Sequence, residues 1–241
     1  MTSAAAPIGF RPLYQQVRDA LLRRLAERIW QPGQLLPSEG QLAQELGVSP
    51  GTVRKALDAL TADSLLVRRQ GRGTFVAEHD DAQSIFRFFR LRSDSGAQGA
   101  PESRVLARAE GPADAAERAR LALAPGAAVV RIERLRRLGG APCIHERITA
   151  PAALFPGLAD LDLPNTLYAL YANRFGVTIA RADERLKAVA LGAREADLLG
   201  VPAGVPALAI DRVAIDLDGR PVEWRVSVCL TEVVHYRSDL G

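Results

Sequence analysis

Between Ser38 and Leu60 the chain is committed to two short helices meeting at a sharp bend. Ser38 is placed to cap the first, with Gln41 at the reciprocal capping-box position. Leu42, Ala43 and Leu46 supply its apolar stripe, and Gly47 is a natural left-handed stop. After Val48, Ser49 reads as the cap of a second helix with Pro50 at its first position, burying Val53, Leu57 and Leu60. Two helices joined by so short a Gly-containing turn form a helix-turn-helix. Upstream, Leu13, Val17, Leu21, Leu25 and Ile29 recur every fourth residue, with Arg18, Arg23, Arg24 and Arg28 between them. This predicts an amphipathic helix begun after Pro12 and stopped by Pro32-Gly33.

Two strand-like segments follow, Leu65–Arg69 and Thr74–Ala77, joined by Gln70-Gly71-Arg72-Gly73. The hairpin has a cation at its tip, and Arg72 there could enter a minor groove. Each piece also has an ordinary structural reading, since helix-turn-helix geometry occurs away from DNA and a Gly-Arg-Gly turn is often only a turn. The ordered set is far more specific. Charge points the same way: residues 1–78 hold ten Lys/Arg against seven Asp/Glu, whereas the remaining residues hold 21 of each. All of the net +3 therefore sits in the first third, as in a small nucleic-acid-binding module joined to a neutral partner.

These residues resemble the DNA-binding domain of GntR-family regulators. The resemblance rests on Pro12-Leu13-Tyr14-Gln15-Gln16-Val17, Leu36-Pro37-Ser38-Glu39, Gly47-Val48-Ser49, Thr52-Val53-Arg54-Lys55-Ala56-Leu57 and Gln70-Gly71-Arg72-Gly73-Thr74-Phe75-Val76. It implies a winged helix-turn-helix that binds double-stranded operator DNA, its third helix in the major groove. Thr52 and Arg54 would meet bases or phosphates, and Gly71 and Arg72 the minor-groove edge. Arg54 is the candidate for base readout and Lys55 for a phosphate contact or solvated charge; Ser38, Ser49, Gln70 and Gly73 complete the DNA-facing set. The sequence departs from the family at two frequent DNA contacts, where it has Gly40 and Pro50 in place of arginines.

Glu78–Gln83 is polar and acidic, so domains are expected over 1–78 and 84–241 with a linker at 79–83. Candidate strands are Ser84–Arg92, Arg104–Glu110, Ala128–Leu138, Ala141–Thr149, Val177–Leu191, Leu208–Leu217 and Pro221–Leu230. Gly139-Gly140 and Asp218-Gly219 mark two hairpins. Helices are expected at Asp114–Leu121, Asn165–Arg174 and Ala193–Leu199, and Ser93–Pro101 reads as a mobile loop. Long antiparallel strands with few helices predict an α+β domain with one sheet face opening into a pocket.

This order is similar to the ligand-sensing (UTRA) domain of the HutC subfamily of GntR regulators. The similarity is carried by Arg131-Ile132-Glu133-Arg134-Leu135-Arg136, Thr166-Leu167-Tyr168, Leu198-Leu199-Gly200-Val201-Pro202 and Asp218-Gly219-Arg220-Pro221-Val222-Glu223. It implies a chorismate lyase-like fold, a homodimer formed through this domain, and repression controlled by a small-molecule effector. The effector-binding positions carried over are Arg134, Arg136, Glu146, Thr166, Tyr168 and Glu223, with Cys229 where a ligand-facing tyrosine often stands. Arg134 and Arg136, two apart on a strand, share one face and suit a carboxylate or phosphate. Their structural alternative is ion pairing with Glu133, Glu146 or Glu223.

His145 is expected on the face opposite Glu146, His79 and His235 at the surface, and Trp30 and Trp224 in packing roles. An enzyme using the lyase-like fold is the minor alternative, for no activated nucleophile, cofactor motif or metal-ligand spacing is visible. Ligand-independent DNA binding is another. The absence of a leader-like or membrane-spanning run, with two unpaired-looking cysteines, Cys143 and Cys229, predicts a cytoplasmic protein.

Overall fold

In a computed structural model, residues 11–63, 65–77, 89–94, 102–138, 140–232 and 234–238 are described. The chain divides after Glu78 into two compact units. The expected linker at 79–83, most of the strand proposed for 84–92 and most of the 93–101 loop lie outside the described residues.

The first unit begins with helix α1 (Leu13–Ala26), which buries Val17, Leu21 and Leu25. Its stripe is shorter than the sequence period suggested: Leu13 and Ile29 are 51% and 55% exposed. The helix closes before Pro32 because Arg28 turns left-handed (φ 56°), and Trp30 rather than Ile29 swings inward. Helices α2 (Glu39–Leu46) and α3 (Pro50–Ala62) form as the caps dictate. The Ser38 hydroxyl accepts from the Gln41 amide at 3.3 Å, and Gln41 Oε1 accepts from Ser38 N at 2.9 Å. Gly47 adopts φ 64° between the helices. Leu42, Val53, Leu57 and Leu60 fill the space below them.

Strands β1 (Leu66–Arg69) and β2 (Gly73–Val76) pair antiparallel, with Leu35 bridging to Phe75 as a third short segment. Gly73 has φ 106°, and a Cβ there would stand 2.7 Å from Leu35 Cδ1. Only glycine fits that turn.

The second unit is built on a six-stranded, wholly antiparallel sheet in the order β4-β5-β6-β9-β8-β7. These strands are β4 (Glu102–Pro112), β5 (Ala128–Leu138), β6 (Ala141–Pro151), β7 (Ile179–Ala190), β8 (Pro206–Asp216) and β9 (Pro221–Leu230). The last short strand, β10 (Val234–Tyr236), pairs with β3 (Leu91–Ser93) and was not foreseen. Helices α4 (Ala115–Leu121) and α6 (Ala193–Leu199) stand where expected. Helix α5 (Leu167–Leu170) is only four residues long and runs into a π-helical turn, Tyr171–Phe175.

Strand alternation sends Val130, Ile132, Arg134 and Arg136 of β5 to one sheet face and Arg131, Glu133 and Leu135 to the other. At one end of the first face, Phe155, Leu167 and Tyr171 pack on Val130, Ile132 and Ile148. At the other end, Leu91 and Val234 pack with Cys143, Ile144, Ile210 and Cys229. Between these two apolar clusters lies a band of buried charge.

Candidate nucleic-acid interface and effector site

In the first unit the exposed edge of α3 begins at its cap. Ser49 Oγ accepts from Thr52 N at 3.2 Å and lies 2.9 Å from Thr52 Oγ1, so these two predicted residues are tied to each other. Arg54 and Lys55 follow, both exposed. The Lys55 ammonium sits 4.4 Å from the Tyr14 ring centroid, a packing role beside its charge.

Arg54 Nε and Nη2 donate to Glu39 Oε2 at 2.9 and 2.7 Å, while Glu39 Oε1 accepts from Arg68 Nη2 at 3.3 Å. Arg68 Nη2 also pairs with Asp58 at 2.8 Å. The hydrogen bond from Arg54 holds the Glu39 carboxyl below its ordinary pKa. Ser38 is exposed at the cap of α2, and Gln70, Gly71, Arg72 and Gly73 form the exposed hairpin tip. Every predicted DNA-facing residue therefore lies on a helix start, the α3 surface or the wing. Glu39 was not singled out from sequence, although it belongs to the Leu36-Pro37-Ser38-Glu39 motif.

In the second unit, cross-strand register assembles the buried band. Arg134 faces Glu146, Glu146 faces Ser227, and Arg225 faces Arg212 on the neighbouring strand. Arg134 Nη2 donates to Glu146 Oε2 at 2.7 Å; Arg136 Nη1 and Arg225 Nη1 approach Oε1, both at 3.5 Å. Burial opposes ionisation of Glu146, but Arg134, Arg225 and Arg136 outweigh it and hold the carboxyl well below the usual range.

Glu223, fully buried, is held by Arg225 Nη2 at 2.8 Å, by the Tyr168 hydroxyl at 3.0 Å and by the Tyr171 hydroxyl at 2.9 Å. Burial pushes the Tyr168 phenol up to about 12, with the Glu223 charge adding to the shift, so it stays a donor at neutral pH. Arg212 pairs with Glu184, which also accepts from Tyr236.

Arg136 differs from its neighbours. It is 3% exposed, has among the described residues only the 3.5 Å approach to a carboxylate, donates to the Asn165 carbonyl at 3.3 Å and lies 4.8 Å from the Phe89 ring centroid. Burial lowers its pKa to about 10, with Arg134 and Arg225 adding to the shift. Its Nε has no hydrogen-bond partner among the described residues. Neither has the hydroxyl of Ser103, which stands opposite Arg136 in the β4–β5 register. The Ser103 amide donates to Asn165 Oδ1 at 2.8 Å and Arg136 Nη2 donates to the Asn165 carbonyl, so the loop before α5 touches both residues.

The structure thus gathers Arg134, Arg136, Glu146, Tyr168 and Glu223, and adds Ser103, Tyr171, Arg212, Arg225 and Ser227. The even spacing from Glu223 through Arg225 and Ser227 to Cys229 was the signal for two of these. Cys229 is buried in the apolar cluster at the band's edge, and burial raises its thiol pKa. Thr166 is buried before α5 without a side-chain cap hydrogen bond. Just upstream, the carbonyls of Pro164 and Asn165 accept from Arg134. The helix that Thr166 precedes has only four α-helical residues.

His145 lies on the opposite sheet face, with Nε2 2.7 Å from Glu133, which also binds Arg194. His235 pairs with Asp94 at the surface, whereas His79 lies outside the described residues. Trp30 is 7% exposed and Trp224 Nε1 donates to Asp211, as packing anchors would. Among the described residues no group of His, Cys, Asp and Glu is arranged to hold a metal, and no helix is long and apolar enough to cross a membrane.

Comparison with known proteins accounts for both units. Residues 13–76 match the model of bacterial regulatory proteins of the gntR family, and residues 97–235 match the UTRA domain. The chain is 31% identical over 217 residues to the HTH-type transcriptional regulator SmoD of Agrobacterium fabrum, covering 89% of this chain and 90% of that one. It is 30% identical over 205 residues to the histidine utilization repressor of Pseudomonas putida, covering 85% and 82%. The crystal structure of PhnF from Mycobacterium smegmatis superposes with a TM-score of 0.57 at 26% identity, covering 92% of this chain and 98% of that one. The chain belongs to the GntR family of bacterial transcription regulators, with a gntR-type helix-turn-helix unit for DNA and a UTRA unit for a small-molecule effector.

Proposed function

We propose that this regulator is a homodimeric, cytoplasmic repressor that releases its operator when a small anion enters the arginine band of the second unit. The carrying observation is the pair of orphaned groups, Arg136 Nε and Ser103 Oγ. A buried guanidinium with an unused donor is costly, and an oxyanion between the two would satisfy both. Repression is the action in the names of several relatives, among them the histidine utilization repressor and NagR of Bacillus subtilis. A single recognition helix reads only a few base pairs, so a two-fold dimer on a palindromic operator supplies the needed specificity.

The site residues proposed are Arg134, Arg136, Glu146, Thr166, Tyr168 and Glu223, with Cys229 lining the apolar edge. For DNA they are Ser38, Ser49, Thr52, Arg54, Lys55 and Gln70–Gly73, with Arg54 reading a base. Arg54→Ala should weaken operator binding roughly ten- to a hundredfold, with a smaller loss on unrelated DNA from the missing charge. The test of the whole reading is a fluorescence-anisotropy titration of the selected operator with a panel of carboxylates and phosphate esters. One of these should lower affinity by about 5- to 150-fold. A panel on which no anion moves operator affinity, while neutral or cationic ligands do, would sink the anionic reading.

A further inference from the structure

The DNA-facing surface carries an ion network that binding to phosphate does not explain. Arg54, Glu39, Arg68 and Asp58 link α3, α2 and β1 in one chain of contacts. Two cations and two anions cancel, so the group adds little to attraction for the phosphate backbone. Its value is geometric. A guanidinium presents five N–H donors in a rigid fork. Glu39 Oε2 takes Nε–H and one hydrogen of Nη2, at 2.9 and 2.7 Å. That leaves the outer edge of Arg54, both Nη1 hydrogens and one of Nη2, facing away from the carboxylate. Two parallel donors on such an edge match the N7 and O6 acceptors of guanine in the major groove.

Glu39 itself is fixed from behind. Its other oxygen is bound by Arg68 at 3.3 Å, and it opens α2, where a negative charge is favoured by the helix dipole. Its side chain is 28% exposed against 62% for Arg54, so the carboxylate is the anchored member and the arginine the presented one. The two positions that depart from the family's arginines offer no second guanidinium. Gly40 has no side chain and Pro50 carries only an apolar ring, and each stands exposed at the start of its helix.

We infer that Glu39 is a positioning residue for sequence readout, gripping Arg54 by the inner edge of its guanidinium and so dedicating the outer edge to one guanine of the operator half-site. The inference rests on the reading of Arg54 as operator-facing given above. It makes Glu39 a determinant of specificity although it touches no base, and it narrows the expected operator to a sequence with an obligatory guanine under α3.

The test uses the full chain and duplexes selected by it from a randomised pool. The selected sites should contain one invariant guanine per half-site. Replacing that guanine by 7-deazaguanine, which lacks N7, should weaken wild-type binding roughly tenfold. In Glu39→Ala the same replacement should cost less than about twofold, while affinity for unselected DNA holds or rises, because the variant loses readout together with one negative charge. Glu39→Gln, whose amide oxygen still accepts from Arg54, should retain part of the discrimination. Thermal melts check that each variant folds. Arg54→Lys, which keeps the charge but loses the fork, serves as an independent variant and should lose the discrimination as Glu39→Ala does. Full guanine discrimination in folded Glu39→Ala would overturn the inference while leaving Arg54 as reader. Full discrimination in Arg54→Ala would remove the reading of Arg54 and the inference with it.

Discussion

The two units use the same chemistry, arginine against carboxylate, in opposite surroundings. In the first unit the Arg54–Glu39–Arg68–Asp58 chain lies in water, where such pairs contribute little to stability and exchange partners readily. In the second, Arg134, Glu146, Glu223 and Arg225 are each at most 6% exposed. There each carboxylate is bound by more than one partner, and none can be removed without stranding a charge. An exposed arginine is free to present a face to DNA. A buried one already holds its partners, so a ligand can act only by satisfying what they leave over or by displacing one of them.

The largest effect expected from this contrast is on the buried side. Glu146→Gln should destabilise the second unit by roughly 3–5 kcal/mol, because it leaves Arg134, Arg136 and Arg225 with one carboxylate fewer. Urea denaturation of the full chain followed by near-ultraviolet circular dichroism measures this. Acid should act in the same direction. The carboxyl of Glu146 titrates lower in the folded chain than its ordinary 4.5. Its contribution is therefore complete above that pH and is lost as pH falls toward the depressed folded value. The wild type should lose stability across that acid window more steeply than Glu146→Gln. Equal slopes would mean that the band is hydrated and behaves like the exposed network.

Next in size is Arg136, where function and stability should separate. Its folded pKa, about 10, lies below the ordinary 12.5, so the folded state holds its proton less tightly than the unfolded chain does. Being charged at neutral pH therefore costs the fold, and that cost is relieved only as pH rises past 10. Arg136→Met should leave the melting temperature unchanged or raise it by a few degrees, while abolishing the effector's influence on operator binding. A variant that melts well below wild type would show that Arg136 is a structural ion pair after all.

Much of this contrast was legible before the structure, but unevenly. The first unit could be read almost residue by residue, because caps, a glycine stop and a three-residue turn are local signals. Its one clear misreading, the helix expected to reach Pro32, came from a period that continued to Ile29 after Arg28 had turned left-handed. In the second unit, alternation placed Arg134 and Arg136 on one face, but alternation does not say which strand lies alongside. Arg212 and Arg225 met only through the β8–β9 register, and Ser103 met Arg136 only through β4. Tyr171 joined Tyr168 on Glu223 because residues three apart on a helix share a face, but which carboxylate that face meets is set by tertiary packing. Non-local pairing decided the band, and a single sequence carries little of that.

The smallest effect concerns Gly40, and it sharpens the exposed half of the comparison. Glycine at the second position of α2 costs about 1 kcal/mol relative to alanine, by backbone entropy alone. Nothing in the structure requires it: its backbone is not left-handed, and an added Cβ would meet no atom within 4 Å. Gly40→Ala should accordingly raise stability by roughly 0.5–1 kcal/mol, read as a melting-temperature increase of a few degrees in the first unit. If the bare backbone is simply tolerated, operator affinity will be unchanged, and sequence readout at this surface falls to the buttressed Arg54. If affinity drops with the one added methyl group, the α2 backbone approaches the DNA at Gly40. The glycine would then be a contact in its own right, taking the place of an arginine by closeness instead of reach.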